Sequence, residues 1–299
     1  MQNKLTGTGV ALVTPMKSDL SIDFDGVKRL LQHLTSGGVD YLVVSGTTGE
    51  SATTSFEEKE ELVSFIIKEN VKKLPVVIGI GGNNTADTLE KIKKANFSGV
   101  TALLSVSPYY NKPSQEGIYQ HYKAIAEASP VPVIIYNVPG RTGSNVTAQT
   151  TVRLSHVPNI IATKEASGDL VQCLTIKKHA KEGFLLISGD DMLTVPMISL
   201  GAVGGIGVLP NIFPADFSKI VNSALHGDFE EAAKLLMNYI EINPLIYAEG
   251  SSVGVKQCLE FLGVCNKHVR LPYAPASAEL KAALLKAGGE KLKKEGITV

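Results

Sequence analysis

The chain has 299 residues, 44% hydrophobic and 19% charged, with 29 basic and 29 acidic side chains and therefore no formal net charge. That balance makes no electrostatic case for nucleic acid or an anionic membrane as partner, and the length suits one large α/β barrel or two smaller domains. The opening MQNKLTGTGVALVTP lacks a signal-peptide layout and no 18-residue apolar stretch occurs, so the sequence reads as a cytoplasmic protein.

Short β-branched runs alternate with helical segments along the chain. VALVTP from Val10 is followed by SIDFDGVKRLLQHL, in which Val27, Leu30, Leu31 and Leu34 share one helical face. YLVVSG from Tyr41 leads to SFEEKEELVSFIIKEN, whose serine and early acids are a helix-start signal. VVIGIG from Val76 precedes NTADTLEKIKKA, and VTALLSVSP from Val100 precedes SQEGIYQHYKAIAEA. The remaining runs are VPVIIYNVP from Val131, IIATKEA from Ile160, FLLISGD from Phe184 and AVGGIGV from Ala202, with helical DLVQCLTIKKHAKE after the sixth. These runs are continuously apolar, as expected of parallel strands covered by helices. Eight units over residues 1–226 predict an α/β fold, a (β/α)8 TIM barrel. After His226 the strands stop. Three helices are predicted in DFEEAAKLLMNYIEINPLIYAE, SSVGVKQCLEFLG and SAELKAALLKAGGEKLKKE, a C-terminal helical appendage over residues 227–299. Its last stretch, GGEKLKKEGITV, is polar enough to fray.

Cys173, Cys258 and Cys265 form no C-x-x-C pair, and the six histidines show no metal-ligand spacing, so no catalytic metal is expected. In a barrel of this kind the chemistry lies at the C-terminal ends of the strands. Those ends carry Thr14-Pro15, Gly46 to Glu50, Pro108-Tyr109-Tyr110, Tyr136-Asn137, Lys164-Glu165 and Gly189-Asp190. Hydroxyls, phenols and one lysine suit proton shuttling around an amine better than metal hydrolysis or hydride transfer.

Lys164 ends the apolar run IIAT, where an ammonium is expensive to desolvate. A buried amine loses its proton more easily and can attack a ketone to form a Schiff base. Equally, Lys164 could be a structural cation paired with Glu165 or Glu50. SGTTGES offers glycines, backbone N–H groups and hydroxyls suited to an anion, or else a tight strand-to-helix turn; it is not a nucleotide P-loop. GAVGGIGV does not match G-x-G-x-x-G and marks close packing. In SPYYNKPSQEG one tyrosine could fill the core while the other serves the site. Arg141, in YNVPGRTG, could grip a carboxylate bidentately or form a surface salt bridge.

Taken together, GTTGES, SPYYNKPSQEG, YNVPGRTG and KEASGD resemble the dihydrodipicolinate synthase family, of the class I aldolase group that includes N-acetylneuraminate lyase. The resemblance runs in order and spacing over essentially the whole chain. It implies that Lys164 forms the Schiff base with pyruvate and that Tyr136 donates and accepts protons beside it. It implies that Thr47 and Tyr110 complete a hydroxyl relay, Tyr110 coming from a neighbouring subunit. Thr48 matches the residue holding the pyruvate carboxylate, Leu209 the position whose backbone lies against pyruvate, and Arg141 the arginine that holds the aldehyde's carboxylate. After GGIGV, however, the sequence reads LPNIFP where the family commonly has a longer Ser/Ala/Asn-containing run.

The substrates implied are pyruvate and L-aspartate 4-semialdehyde, with no metal or organic cofactor, in a homo-oligomer that is at least a dimer and in the family pattern a tetramer. The rival readings are a sialic acid or sugar-acid lyase, which typically has Ser-Thr in the loop and an apolar residue in place of the arginine, and a non-catalytic sensor of pyruvate-like acids. In lysine-sensitive relatives the inhibitor binds at positions corresponding to Ala52, Phe56, Lys59, Asn83, Asp87 and Tyr109. Phe56, Lys59 and Asp87 depart from the usual residues there, so weak or absent inhibition is expected.

Overall fold

Each of the eight apolar runs supplies one strand of a closed parallel barrel: β1 (Gly7–Ala11), β2 (Tyr41–Val44), β3 (Val76–Gly79), β4 (Ala102–Val106), β5 (Val133–Asn137), β6 (Ile160–Glu165), β7 (Leu185–Ser188) and β8 (Gly204–Gly207). The computed structural model describes residues 2–292. Neighbours in sequence are neighbours in space, and β8 returns to pair with β1. The first strand begins earlier than its apolar run, because Gly7 and Gly9 belong to it. Gly9 is required there: a Cβ would stand 2.3 Å from the ring of Tyr41, which fills the base of the barrel.

The helices are α1 (Phe24–Ser36), α2 (Phe56–Glu69), α3 (Thr85–Lys94), α4 (Gln115–Ala128), α5 (Pro139–Thr142), α6 (Ala148–Ser155), α7 (Leu170–His179), α8 (Thr194–Ser199) and α9 (Pro214–Leu225), followed by α10 (Phe229–Met237), α11 (Ile242–Ala248), α12 (Ser251–Phe261) and α13 (Ala278–Gly288). Their starts follow from capping chemistry. Asp23, Ser55, Asn84, Ser114 and Asp169 each accept a hydrogen bond from an otherwise unpaired N–H of the first turn. Ser55 and Glu58 form a full capping box. Val27, Leu30, Leu31 and Leu34 are buried together on α1, as their spacing predicts.

Two apolar layers result from the strand period of two. One lies between strands and helices; the other fills the barrel with Ala11, Tyr41, Val43, Leu104, Ile134, Tyr136, Ala162 and Ile187 among others. Lys164 is two residues beyond Ala162 and in register with Tyr136 and Ile187, so the same period turns it inward at the top of this inner layer.

The segment after His226 differs from its prediction. DFEEAAKLLMNYIEINPLIYAE is two helices, α10 and α11, giving four C-terminal α-helices among the described residues rather than three. Pro244 lies in the first turn of α11, where its missing N–H is harmless; a single unbroken helix would have placed it in an interior. Much of GGEKLKKEGITV falls beyond residue 292, outside the described residues; Gly289–Leu292 is a 3-10 turn. Rather than trailing from the barrel, α11 and α12 return to its C-terminal rim. Among the described residues no helix is long and apolar enough to cross a membrane.

Candidate active site

Lys164 is 5% exposed and its amine lies 4.4 Å from the centre of the Tyr136 ring. Among the described residues it forms no ion pair. The two carboxylates that might have claimed it are engaged elsewhere. Glu165 lies on the outer face of β6, accepting from Asn137 at 2.9 Å, from the Ser167 N–H at 2.9 Å and from Gln172 at 3.2 Å. Glu50 is fully committed to Lys256 of α12 and to the Arg270 N–H, 2.9 Å away. Burial therefore dominates the Lys164 amine and draws its pKa down from 10.5 to about 8. The Asp191 carboxylate works against this shift, and the positive charge of Arg141 adds to it.

Tyr136 is the next-to-last residue of β5 and is 8% exposed. Burial raises its phenol pKa above the ordinary value, while Arg141 and the Thr47 hydroxyl oppose the rise. Lys164, Tyr136, Thr47 and Arg141 are thus one electrostatic neighbourhood. Arg141 is exposed on α5 and forms no ion pair among the described residues, so the surface-salt-bridge alternative is absent.

Thr47 and Thr48 sit in a turn whose backbone is held at several points. The N–H of Glu50 donates to the Thr47 carbonyl at 3.0 Å, and the Thr14 hydroxyl donates to the Gly49 carbonyl at 2.7 Å. Ser252 of α12 donates to the Thr48 carbonyl at 3.0 Å. Glu50 itself adopts a φ of +58°, a left-handed conformation uncommon for a residue with a side chain. Its buried carboxylate, gripped from two sides, holds it there.

Neither tyrosine of SPYYNKPSQEG fills the core. Tyr109 is 42% exposed; Tyr110 is 87% exposed with a φ of +74°. A phenol held in a left-handed backbone and turned outward does not complete a relay within its own chain.

Leu209 is fully buried but belongs to the layer between barrel and helices, away from the inner cluster that contains Tyr136. Its N–H donates to Asp191, and its carbonyl accepts from the N–H groups of Ile212 and Phe213. Both polar groups of its backbone are therefore occupied. The residue that β8 sends into the inner cluster is Ile206.

Sequence reasoning missed Asp191. Of the two adjacent aspartates after β7 it singled out Asp190, which caps a local turn through the N–H groups of Met192 and Leu193. Asp191 is the buried one, accepting from Val208 N–H, Leu209 N–H and the Tyr247 hydroxyl, each at 3.0 Å. Burial raises its pKa to about 6 against the effect of those donors. The adjacent acids were the available signal, but their period could not tell which one faced inward.

This arrangement brings together a buried amine whose pKa is lowered to about 8, a tyrosine ring against it, a turn carrying two threonines and an exposed arginine whose charge is felt by both amine and phenol. Comparison with known proteins is consistent. The profile of the Dihydrodipicolinate synthetase family matches residues 4–288. A 4-hydroxy-tetrahydrodipicolinate synthase from Cytophaga hutchinsonii is 57% identical over 92% of this chain and 92% of its own. A chloride-inhibited dihydrodipicolinate synthase from Acinetobacter baumannii, solved with pyruvate, superposes with a TM-score of 0.92 at 36% identity, covering 96% of this chain and 99% of that one. A structure from Cyanidioschyzon merolae with lysine bound gives 0.91 at 36% identity, covering 96% and 98%. The chain belongs to the dihydrodipicolinate synthetase family.

Proposed function

We propose that this chain is a cytoplasmic lyase that condenses pyruvate with L-aspartate 4-semialdehyde through a Schiff base on Lys164, giving 4-hydroxy-tetrahydrodipicolinate for lysine and diaminopimelate biosynthesis. The observation that supports the assignment of the nucleophile is a buried lysine that forms no salt bridge among the described residues, its pKa drawn to about 8, lying against a tyrosine ring. The free amine adds to the pyruvate ketone, and loss of water leaves an iminium. That electron sink lets a methyl proton depart, with Tyr136 and Thr47 moving protons beside it. The resulting enamine attacks the aldehyde carbon. The amine of the semialdehyde then displaces Lys164 from the iminium carbon, closing the ring and regenerating the enzyme.

Thr48 is assigned to the pyruvate carboxylate and Arg141 to the carboxylate of the aldehyde. The expected behaviour is adduct formation when pyruvate and borohydride are added together, and pyruvate consumption only when the semialdehyde is supplied. Consumption of pyruvate with N-acetylmannosamine, but not with the semialdehyde, would assign the chain to the sialic acid lyases.

Arg141→Ala is expected to raise the KM for the semialdehyde far more than that for pyruvate. Loss of a charge-assisted, bidentate contact costs about 1.5–3 kcal/mol, a roughly 10- to 150-fold change. Steady-state kinetics with each substrate varied in turn measures the asymmetry. An equal rise for both substrates would refute the aldehyde-side assignment.

The exposed Tyr110 is assigned to a neighbour's relay, so the active species is a homo-oligomer, at least a dimer, with a tetramer as the full assembly. Sedimentation at assay concentration should show no monomer carrying full activity.

Inhibition by lysine is expected to be weak or absent. Asp87, the acid nearest in type to an ammonium receptor, is already paired with Lys91 at 2.6 Å. Burial holds the Lys59 pKa below its ordinary value, and the charge of Lys91 lowers it further. An incoming ammonium therefore meets cations and a claimed carboxylate, while Phe56 offers no donor to the ligand's carboxylate. Leaving such a group unpaired costs about 1–3 kcal/mol. Half-inhibition by L-lysine well below millimolar concentration would show that this reading of the site is wrong.

A further inference from the structure

We propose that α12 is a positioning element of the pyruvate site, in which Ser252 and Lys256 hold the turn carrying Thr47 and Thr48 from outside the barrel. The inference rests on the roles proposed above for those two threonines. Ser252 and Lys256 are four residues apart and so share one face of α12. Ser252 donates to the carbonyl of Thr48 itself, at 3.0 Å. Lys256 pairs with the Glu50 carboxylate, and the N–H of Glu50 in turn donates to the carbonyl of Thr47 at 3.0 Å. Each threonine thus has its backbone oxygen fixed by a chain of contacts, and α12 contributes to both. Thr48 is 3% exposed, so the turn it sits in is held within the packed top of the barrel rather than in solvent.

A helix that served only as filler would bury apolar side chains against the barrel. Besides Val253, Val255, Cys258 and Leu259, the buried surface of α12 includes Ser251, Ser252, Lys256 and Gln257, none of these four above 1% exposed. Burying an ion pair gives no more stability than a well-packed apolar pair of the same volume, but its hydrogen bonds are directional. The helix is also fixed at close range. A Cβ on Gly254 would lie 2.3 Å from the Ile246 carbonyl oxygen, so α12 packs with its backbone directly on α11.

The test compares two substitutions one residue apart. The Ser252 hydroxyl reaches the turn, whereas the equally buried Ser251 hydroxyl has no hydrogen-bond partner among the described residues. Ser252→Ala is expected to raise the pyruvate concentration giving half-maximal borohydride trapping by about threefold to tenfold, leaving the trapping rate at saturating pyruvate within about twofold. Ser251→Ala is expected to leave both unchanged, and Ser252→Thr, which keeps the donor, to restore most of the affinity. Equal shifts in Ser251→Ala and Ser252→Ala, or no shift in Ser252→Ala, would overturn the positioning role. Failure of the wild-type chain to trap pyruvate at all would instead overturn the proposed function, so the two failures are distinguishable. Should Ser252→Thr prove unstable, the Ser251→Ala and Ser252→Ala comparison decides the matter alone.

Discussion

Lys164→Ala is expected to abolish covalent trapping of pyruvate and to reduce turnover to the level of the uncatalysed reaction, the largest loss any single substitution should produce. Among the described residues the other buried lysine is Lys256, which is paired with Glu50, so without Lys164 the electron sink cannot form. The wild-type pH profile supplies a second signature. With a pKa of about 8 instead of 10.5, the free-amine fraction at neutral pH is greater by about 300-fold. Trapping at limiting pyruvate should therefore rise with pH and level off above about pH 8, while an ordinary surface lysine would still be rising at pH 10. The effect on stability has a defined sign. Because the folded-state pKa is lowered, folding is penalised below about pH 8, and the penalty fades as pH rises toward 10.5. Lys164→Met, which keeps the apolar stem, should melt at or above the wild-type temperature at pH 7. A pyruvate adduct on the Lys164→Ala protein, mapped by mass spectrometry, would place the nucleophile at another lysine.

Lys256→Met is expected to destabilise the fold by about 3–5 kcal/mol, the second large effect, in a residue far from Lys164 in sequence. Lys256 and Glu50 have no exposed side-chain surface. Removing the ammonium leaves a carboxylate buried with only the Arg270 N–H to satisfy it, and the His268 carbonyl loses its 2.7 Å donor. Urea denaturation should show the loss as a lower midpoint. The double variant Glu50→Gln with Lys256→Met should recover part of it, because no charge then remains to be desolvated. A loss below about 1 kcal/mol in the single variant would mean that water reaches Glu50.

The barrel was legible because each strand is a short apolar run and most named helices begin on a side chain able to cap them, and both signals are local. Lys164 and Tyr136 were legible as site candidates for the same reason: each lies next to the C-terminal end of a strand whose alternation turns it inward. The turn of SGTTGES could be identified as unusual, but its anchoring could not. Glu50 could be weighed only against the lysine already in view, and its true partner is 206 residues away. Tyr247 reaches Asp191 across 56 residues and Ser252 reaches Thr48 across 204. No periodicity encodes such pairings. Of the two tyrosines of SPYYNKPSQEG one was expected to fill the core, and neither does, because aromatic composition alone does not tell a core position from an outward one.

The grip of α12 on the turn after β2 also bears on how the chain comes to exist. Synthesis proceeds from the N-terminus, and the strands that bear Lys164 and Tyr136 are complete some ninety residues before Ser252 and Lys256 have been made. Until then Glu50 has no cation, Asp191 has no phenol, and the Thr48 carbonyl has no donor. Closing loops of about two hundred residues is also entropically the costliest kind of contact to form. The proposed nucleophile is therefore in the chain early, but the turn assigned to pyruvate is anchored only by the C-terminal quarter, so that a ribosome-bound barrel is a scaffold before those anchors exist.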